Sequence, residues 1–303
     1  MPLAVAALGG NAILGGGEAP PDLGAAPVSL ARLCGLGWDL VVTHGNGPQV
    51  GELLLSQDSS GRRPTLDMLD AETEGALGYV LQQSLGNALR GAGLARSVVS
   101  VVTQVVVDPE DPAFGNPTKP VGPFYPRERA EALALERGFR MVEDAGRGWR
   151  RVVASPQPVE IVEWRAIQVL ARAGVVTVAV GGGGIPVVRR ADGSLRGVEA
   201  VVDKDRASSV LARTLEADLL VIFTAVPEVL LDFRRPGERP LRRLSVAEAR
   251  AHLAAGQFAP GSMGPKVEAA AAFTAQSSKP AIITSAERLL DALVGTAGTT
   301  FHP

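Results

Sequence analysis

The chain has 303 residues, a formal net charge of −2 at pH 7 and a pI near 6.0, so it lacks the basic excess that attracts nucleic acid or anionic membranes. Its single cysteine, Cys34, excludes an internal disulfide and any multi-cysteine metal site, and is typical of a reducing compartment. No basic segment precedes the first apolar run, and no window reaches membrane-spanning length. We therefore expect a cytoplasmic protein with no nucleic-acid or membrane partner.

Short apolar runs alternate with helical patterns along most of the chain, which is typical of a parallel α/β sheet covered on both faces. The predicted strands span 3–8, 38–43, 98–107, 175–180, 219–224 and 280–284. The predicted helices span about 47–57, 68–91, 157–173, 204–216, 245–255 and 264–277. Ser245 followed by Glu248 predicts a capping box at the start of one of them.

The stretch 108–151 departs from this alternation. It carries six prolines and many charges between a strand and a helix, where a short connection would suffice. A loop of that length is usually either functional or disordered. Five aromatic residues could form a small core of its own: Phe114, Phe124, Tyr125, Phe139 and Trp149. We therefore predict a folded lid over the edge of an active site.

Three predicted strands end in glycine-rich loops, which begin at Gly9, Gly45 and Gly181. Ligands of parallel sheets bind beyond the carboxyl ends of the strands, where backbone N–H groups and helix N-termini surround an anion with no Cβ in the way. A single loop of this kind is about as often a plain tight turn as a ligand site. Three such loops at one edge favour an anion site.

Other well-known signatures are absent from the chain. No lysine follows a glycine, so there is no P-loop, and the glycine spacing after the second strand does not fit a dinucleotide site. There is no Gly-x-Ser-x-Gly motif. The only histidines are His44, His252 and His302, which give little support for a serine triad or a histidine metal cluster.

Lysine is scarce, because four of the 30 basic residues are lysine and the rest are arginine. A G+C-rich genome accounts for that bias, so the surviving lysines mark positions where arginine does not serve. Lys119 lies in the predicted lid, Lys204 at a helix start between two carboxylates, and Lys266 at another helix start. Three ammonium groups from three directions would stabilise a phosphoryl group during transfer. Lys279 lies outside any glycine motif and is interpreted as a surface lysine.

Two aspartates flank Lys204. Asp205 could hold two lysine side chains in position and keep them charged, or it could complement the helix dipole, and both roles are compatible. Asp203 is the better candidate for the helix cap alone.

With these motifs, the chain resembles the carbamate kinases of the amino acid kinase superfamily over nearly its whole length. The matching segments appear in order as ALGGNAIL, THGNGPQVG, TQVVVDP, NPTKPVGPF, EDAGRGWRRVV, GGGGIPVV, GVEAVVDKD, FAPGSMGPK and AIITS. The resemblance implies reversible, Mg²⁺-dependent phosphoryl transfer between carbamoyl phosphate with ADP and carbamate with ATP. It also implies a homodimer and an open three-layer α/β/α sandwich with a mainly parallel sheet and a small inserted lid.

The resemblance implies roles for individual residues and regions. Lys119, Lys204 and Lys266 would surround the transferred phosphoryl group, with Asp205 organising the lysines. The residues implied to hold the acceptor and phosphate are Gly9, Gly10, Asn11, Gly45, Asn46 and Gly47. Those implied to bind nucleotide are Gly181, Gly182, Thr224, Val229, Met263 and Lys266. Residues 1–203, including the lid at 108–151, would form the acceptor lobe, and 204–303 the nucleotide lobe.

Two alternatives to a carbamate kinase stay open. One is another small-acid kinase of the superfamily, although such relatives tend to carry a lysine in the first strand, which this chain lacks. The other is a nucleotide-binding regulator without turnover, although such a protein is expected to lose a lysine or Asp205. Two departures from the family pattern concern the short stretch 15–27 and Pro227, which has no backbone donor near the predicted base site.

Overall fold

The computed structural model describes residues 1–9, 23–60, 64–144, 147–259 and 261–303. In these residues the strands, numbered in chain order, are β1 (Leu3–Leu8), β2 (Asp39–His44), β3 (Val98–Ser100), β4 (Gln104–Val107), β5 (Lys119–Tyr125), β6 (Met141–Glu143), β7 (Trp149–Val153), β8 (Pro158–Ile161), β9 (Val176–Val178), β10 (Ile185–Arg189), β11 (Leu195–Gly197), β12 (Leu219–Phe223), β13 (Val229–Leu231), β14 (Arg239–Leu241), β15 (Arg243–Ser245), β16 (Ala281–Thr284) and β17 (Thr299–His302). The helices are α1 (Ala26–Gly35), α2 (Gly47–Ser60), α3 (Leu66–Gly91), α4 (Pro112–Gly115), α5 (Arg127–Arg137), α6 (Trp164–Arg172), α7 (Lys204–Thr214), α8 (Val246–Ala254), α9 (Met263–Ser277) and α10 (Leu289–Leu293).

An eight-stranded sheet forms the middle layer, in the order β15-β17-β16-β12-β1-β2-β9-β3. Its neighbouring strands run parallel except for the antiparallel pair β16 and β17. Every residue of β1, β2, β12 and β16 is buried, which is expected of parallel strands covered on both faces. The predicted mainly parallel α/β sheet is confirmed.

Two hydrophobic cores lie on opposite faces of this sheet. Val5 and Ala7 of β1 pack into one core together with α6, α7 and α9. Ala4 and Ala6 pack into the other, together with α1 and α3. This alternation follows from the two-residue period of a strand, and it builds the predicted three-layer sandwich.

The predicted strand 98–107 is wrong as a single element. It is divided into β3, at the edge of the central sheet, and β4, in a second sheet ordered β11-β10-β4-β8. The break is held by tertiary hydrogen bonds: Thr103 N donates to Glu74 Oε2 over 2.8 Å, and Val180 N donates to Thr103 Oγ1 over 3.0 Å. Since both partners are remote in sequence, the local apolar pattern does not reveal the break.

One predicted helix begins later than expected, one helix was not predicted, and the predicted capping box is confirmed. The helix predicted over 157–173 begins at Trp164, because Pro158–Ile161 form strand β8 instead. Helix α1 was not predicted, although a proline occupies its first turn in the way helix starts favour. The capping box of Ser245 and Glu248 is present at the start of α8.

The stretch 108–151 is folded. Strands β5, β7 and β6 form an antiparallel sheet in that order, with β7 continuing to Val153, and α5 buries Ala130 and Leu133 against it. The predicted aromatic core is wrong for Phe124, which is 41% exposed and lies beneath the guanidinium groups of two arginines. Strand β5 lies against α2, where a Cβ on Gly51 would lie only 3.4 Å from the backbone of β5. The division of the chain into two lobes stays a prediction.

Within the described part of the chain, no helix combines the length and the apolar character needed to cross a bilayer.

Candidate active site

Three of the four lysines line one cavity of about 200 Å³. Lys119 is the first residue of β5, Lys204 the first residue of α7, and Lys266 lies in the first turn of α9. The three therefore come from the lid and from two separate helix starts. All three side chains are half-buried.

The carboxylate of Asp205 lies between two of these lysines. Its Oδ1 accepts a hydrogen bond from Lys204 Nζ over 2.5 Å, and its Oδ2 accepts one from Lys266 Nζ over 3.1 Å. Burial lowers the pKa of the Lys204 ammonium, and the attraction of Asp205 opposes that lowering while Lys266 adds to it. Asp205 therefore holds two ammonium groups side by side and favours the charged form of Lys204.

Asp203 has a different partner for each carboxylate oxygen. Its Oδ1 caps α7, accepting from the backbone N–H of Asp205 over 3.0 Å and of Arg206 over 3.4 Å. Its Oδ2 accepts from Lys119 Nζ over 2.9 Å. Burial alone would raise the pKa of Asp203, but Lys119, Lys204 and the backbone N–H of Arg206 together outweigh burial, and the pKa lies at about 2. The assignment of Asp203 to the cap alone was therefore wrong, because it also holds the lid lysine.

The glycine loops approach the same cavity. Gly45, Asn46 and Gly47 line it together with Gly182. Gly182 has φ +69°, and a Cβ there would lie 2.2 Å from Asn46 Nδ2, so glycine is required for the two loops to touch. Gly9 lines the adjoining cavity described below. Gly10 and Asn11 lie outside the described residues.

Gly181 packs against buried polar groups instead of lining the cavity. A Cβ on Gly181 would lie 2.6 Å from His44 Nε2 and 2.7 Å from Glu74 Cγ. Burial lowers the pKa of His44 to about 4 and raises the pKa of Glu74 well above its usual value. Burial thus favours the neutral form of both groups, which lowers the cost of burying them behind the loop.

Comparison with known proteins gives a consistent answer. The model of the amino acid kinase family matches residues 2–285. The chain is 46% identical over 311 residues to carbamate kinase from Trichomonas vaginalis, covering 99% of each chain. It is 48% identical over 300 residues to carbamate kinase 2 from Enterococcus faecalis, covering 95% of each. Among solved structures, carbamate kinase from Giardia lamblia bound to AMP-PNP superposes with a TM-score of 0.89 at 41% identity, covering 99% of this chain and 98% of that one.

The chain belongs to the amino acid kinase family. The resemblance to its carbamate kinases that we drew from the motifs is confirmed. Kinases of this family catalyse phosphoryl transfer.

A second cavity of this amino acid kinase adjoins the first and has a volume of about 460 Å³. The two share Lys204, Gly261, Ser262 and Lys266 in their walls. Thr224, predicted to bind nucleotide, lines the larger cavity.

Two further residues predicted to bind nucleotide, Val229 and Met263, line neither of these two cavities. Val229 is fully buried, and its backbone N–H donates to Thr299 Oγ1 over 2.8 Å. Met263 is half-buried and packs against the core that contains Val5 and Ala7 of β1. Their part in nucleotide binding stays a prediction.

The described residues contain no group of three or more His, Cys, Asp or Glu side chains that could hold a metal ion. Both aspartates in the wall of the 200 Å³ cavity, Asp203 and Asp205, accept hydrogen bonds from lysine.

Sequence reasoning missed the buried acids of α3. Leu66, Leu69, Leu77 and Leu81 form its apolar face, and Asp70, Thr73 and Glu74 lie on that same face and are buried as deeply. The sequence did carry a signal for them, because these polar residues occur at positions where the helical pattern of α3 predicts buried apolar residues.

Proposed function

We propose that this chain is a carbamate kinase, which transfers a phosphoryl group reversibly between carbamoyl phosphate with ADP and carbamate with ATP. The observation that carries the proposal is the cavity lined by Lys119, Lys204 and Lys266 and organised by two aspartates. Full-length relatives named carbamate kinases add to it.

The proposed chemistry needs charge stabilisation more than proton transfer. A carbamate oxygen is already anionic, so it can attack the terminal phosphorus of ATP without a general base. The transferred group carries negative charge on its equatorial oxygens, and the three ammonium groups would face that charge from three elements. Asp205 would hold the side chains of Lys204 and Lys266 in position, and Asp203 would hold that of Lys119.

The two cavities suit the two substrates. The larger one has a volume within the usual range for drug-sized and cofactor ligands, and we assign the nucleotide to it. Its phosphates would lie at the shared wall formed by Lys204 and Lys266. The smaller cavity, lined by Gly45, Asn46 and Gly47, would hold the carbamoyl group.

We propose that Mg²⁺ enters with the nucleotide. Magnesium is usually held by one or two carboxylates together with substrate phosphates and waters, and the cavity aspartates are already engaged by lysines. Bound in this way, the ion would neutralise charge on the nucleotide phosphates.

The homodimer and the cytoplasmic location belong to the same proposal. The family resemblance supports the homodimer, and the single cysteine supports a reducing compartment.

The proposal is tested by mixing purified protein with ADP, Mg²⁺ and carbamoyl phosphate and measuring ATP with luciferase. We expect ATP formation by the wild type and by Lys279→Met, since Lys279 pairs with Asp218 on the surface. We expect Lys204→Met to lose about 10² to 10³ in rate, as for removal of one electrostatic donor from a transition state. Absence of ATP with folded wild-type protein would overturn the proposed function.

A further inference from the structure

The side-chain amide of Asn46 is held by helix α3. Its Nδ2 donates to Asp70 Oδ1 over 2.8 Å and to Thr73 Oγ1 over 2.9 Å. All three side chains are buried, with 2 to 3% exposure. Both hydrogens of the amide are therefore used within the protein interior.

The network itself decides which way this amide points. The hydroxyl of Thr73 has one hydrogen, which it donates to the carbonyl oxygen of Leu69 over 2.9 Å or of Asp70 over 3.0 Å. Its oxygen is thus left as an acceptor towards Asn46. A flipped amide would place Oδ1 against the Thr73 oxygen, whose hydrogen is already used, and the lost hydrogen bond would cost about 1 to 3 kcal/mol.

The amide oxygen is then the remaining polar atom of the Asn46 side chain. It has no hydrogen-bond partner among the described residues. Asn46 lines the smaller cavity beside Gly182, whose missing side chain leaves room for the amide. An acceptor with no protein partner in the wall of a cavity favours a ligand that brings an N–H group.

We infer that Asp70 and Thr73 are positioning residues that present the Asn46 amide oxygen to the substrate, where it accepts a hydrogen bond from the amino group of the carbamoyl moiety. The inference rests on the proposed function and deepens it, because it names the group that selects the substrate. An acetyl group has the same shape but carries a methyl in place of the amino group, so it leaves the oxygen unpaired. Carbamoyl phosphate is therefore preferred over acetyl phosphate.

The test compares the two phosphates as donors to ADP and takes the ratio of their kcat/KM values. Thr73→Val removes the oxygen that receives the amide hydrogen while keeping the shape of the side chain, and Thr73→Ser keeps the oxygen as a matched control. We expect the ratio to fall about tenfold in Thr73→Val and to stay within about twofold in Thr73→Ser. Asp70→Leu removes the other acceptor, and the ratio should fall in the same direction.

The ratio does not depend on how much of a variant is folded, because both substrates are turned over by the same active molecules. An unchanged ratio in both Thr73→Val and Asp70→Leu overturns the inference. So does an equal loss of kcat/KM with both phosphates, which would mark a merely structural role. A wild type that forms no ATP from either phosphate overturns the proposed function itself, whereas a wild type that forms ATP leaves the ratio to decide the inference alone.

Discussion

Asp203 connects the lid to the start of helix α7 through a single carboxylate. One oxygen fixes the first turn of α7, which carries Lys204, and the other holds the ammonium of Lys119 at 2.9 Å. The start of α7 therefore positions both Lys204 and Lys119. In the proposed reaction, a phosphoryl group that enters the cavity would find Lys119 already near its place, which would reduce the entropy lost on reaching the transition state.

The identity of Lys119 should matter for turnover. Arginine keeps the charge but spreads it over a broad planar fork, which suits neither the 200 Å³ cavity nor the single oxygen of Asp203. We expect Lys119→Arg to lower kcat about 10²-fold and to change nucleotide affinity little, since Lys119 does not line the larger cavity. Steady-state kinetics and ADP titration measure the two effects.

Lys279→Arg is the matched control for this variant. Lys279 pairs with Asp218 on the surface, and its side chain is about half exposed, so arginine should serve equally well there. A Lys119→Arg enzyme with the kcat of the Lys279→Arg enzyme would show that the lid lysine is dispensable.

The residues of the site differ in how far sequence reasoning could find them. The lysines were found because lysine is scarce in this chain and because phosphoryl transfer needs compact cations. The second role of Asp203 was missed because its partner, Lys119, lies 84 residues away on the lid. Asp70 and Thr73 were missed because a helical pattern shows that they face the core but not which loop they meet there.

At the scale of elements, the glycine run at 181–184 is shaped by what it packs against. Gly182 and Gly183 have φ +69° and +106°. A Cβ on Gly182 would meet the amide of Asn46, and one on Gly183 would lie 2.5 Å from the carbonyl oxygen of Val202. The run is therefore glycine-rich for close approach as well as for backbone conformation.

Gly182→Ala separates these two causes. Gly193 has a similar φ of +83° but no atom within 4 Å of an added Cβ, so Gly193→Ala carries the conformational strain alone. We expect about 1 to 2 kcal/mol of destabilisation in Gly193→Ala with normal kinetics. Gly182→Ala should add displacement of Asn46 and raise KM for carbamoyl phosphate at least tenfold, because the acceptor site loses its shape.

Urea denaturation and steady-state kinetics of both variants supply the comparison. Equal stability losses together with equal KM values would contradict the role given to the contact between Gly182 and Asn46.

The elements themselves were predictable where the pattern is local. The fully buried strands β1, β2, β12 and β16 were expected from continuous apolar runs, and they form the middle of the sheet. The division of 98–107 between two sheets could not be predicted, because it depends on a hydrogen bond from the backbone N–H of Thr103 to Glu74. Long-range hydrogen bonds of this kind leave no periodicity in the sequence.

At the scale of the whole molecule, three buried titratable groups lie between the sheet and α3. Burial raises the pKa of Asp70 from 3.8 to about 7, with Asp67 and Glu199 adding to the rise and Asn46 opposing it. Burial also raises the pKa of Glu74 and lowers that of His44 to about 4. The stability of the fold is therefore coupled to pH through groups that lie beside the glycine loops at Gly45 and Gly181.

The signs of these couplings differ. Asp70 binds a proton more tightly in the folded chain, so its contribution to stability is complete below pH 3.8 and is lost as the pH rises through about 7. His44 binds its proton less tightly in the folded chain, so its contribution is present above pH 6.5 and is lost as the pH falls through about 4. Because the two oppose each other over much of this window, the wild-type curve alone does not isolate either group.

Asp70→Asn isolates the first of them. Asparagine resembles the protonated aspartic acid, keeps an oxygen for Asn46 and does not titrate, while His44 and Glu74 are present in both proteins. From about pH 5 to pH 8 the wild type should therefore lose about 3 kcal/mol of unfolding free energy relative to Asp70→Asn. Urea denaturation across that range measures the difference, with Asp291→Asn, a change at an exposed aspartate, as the control that should run parallel to the wild type. Parallel curves for wild type and Asp70→Asn would mean that Asp70 is ionised in the folded protein throughout, and that the amide of Asn46 is held by a charge.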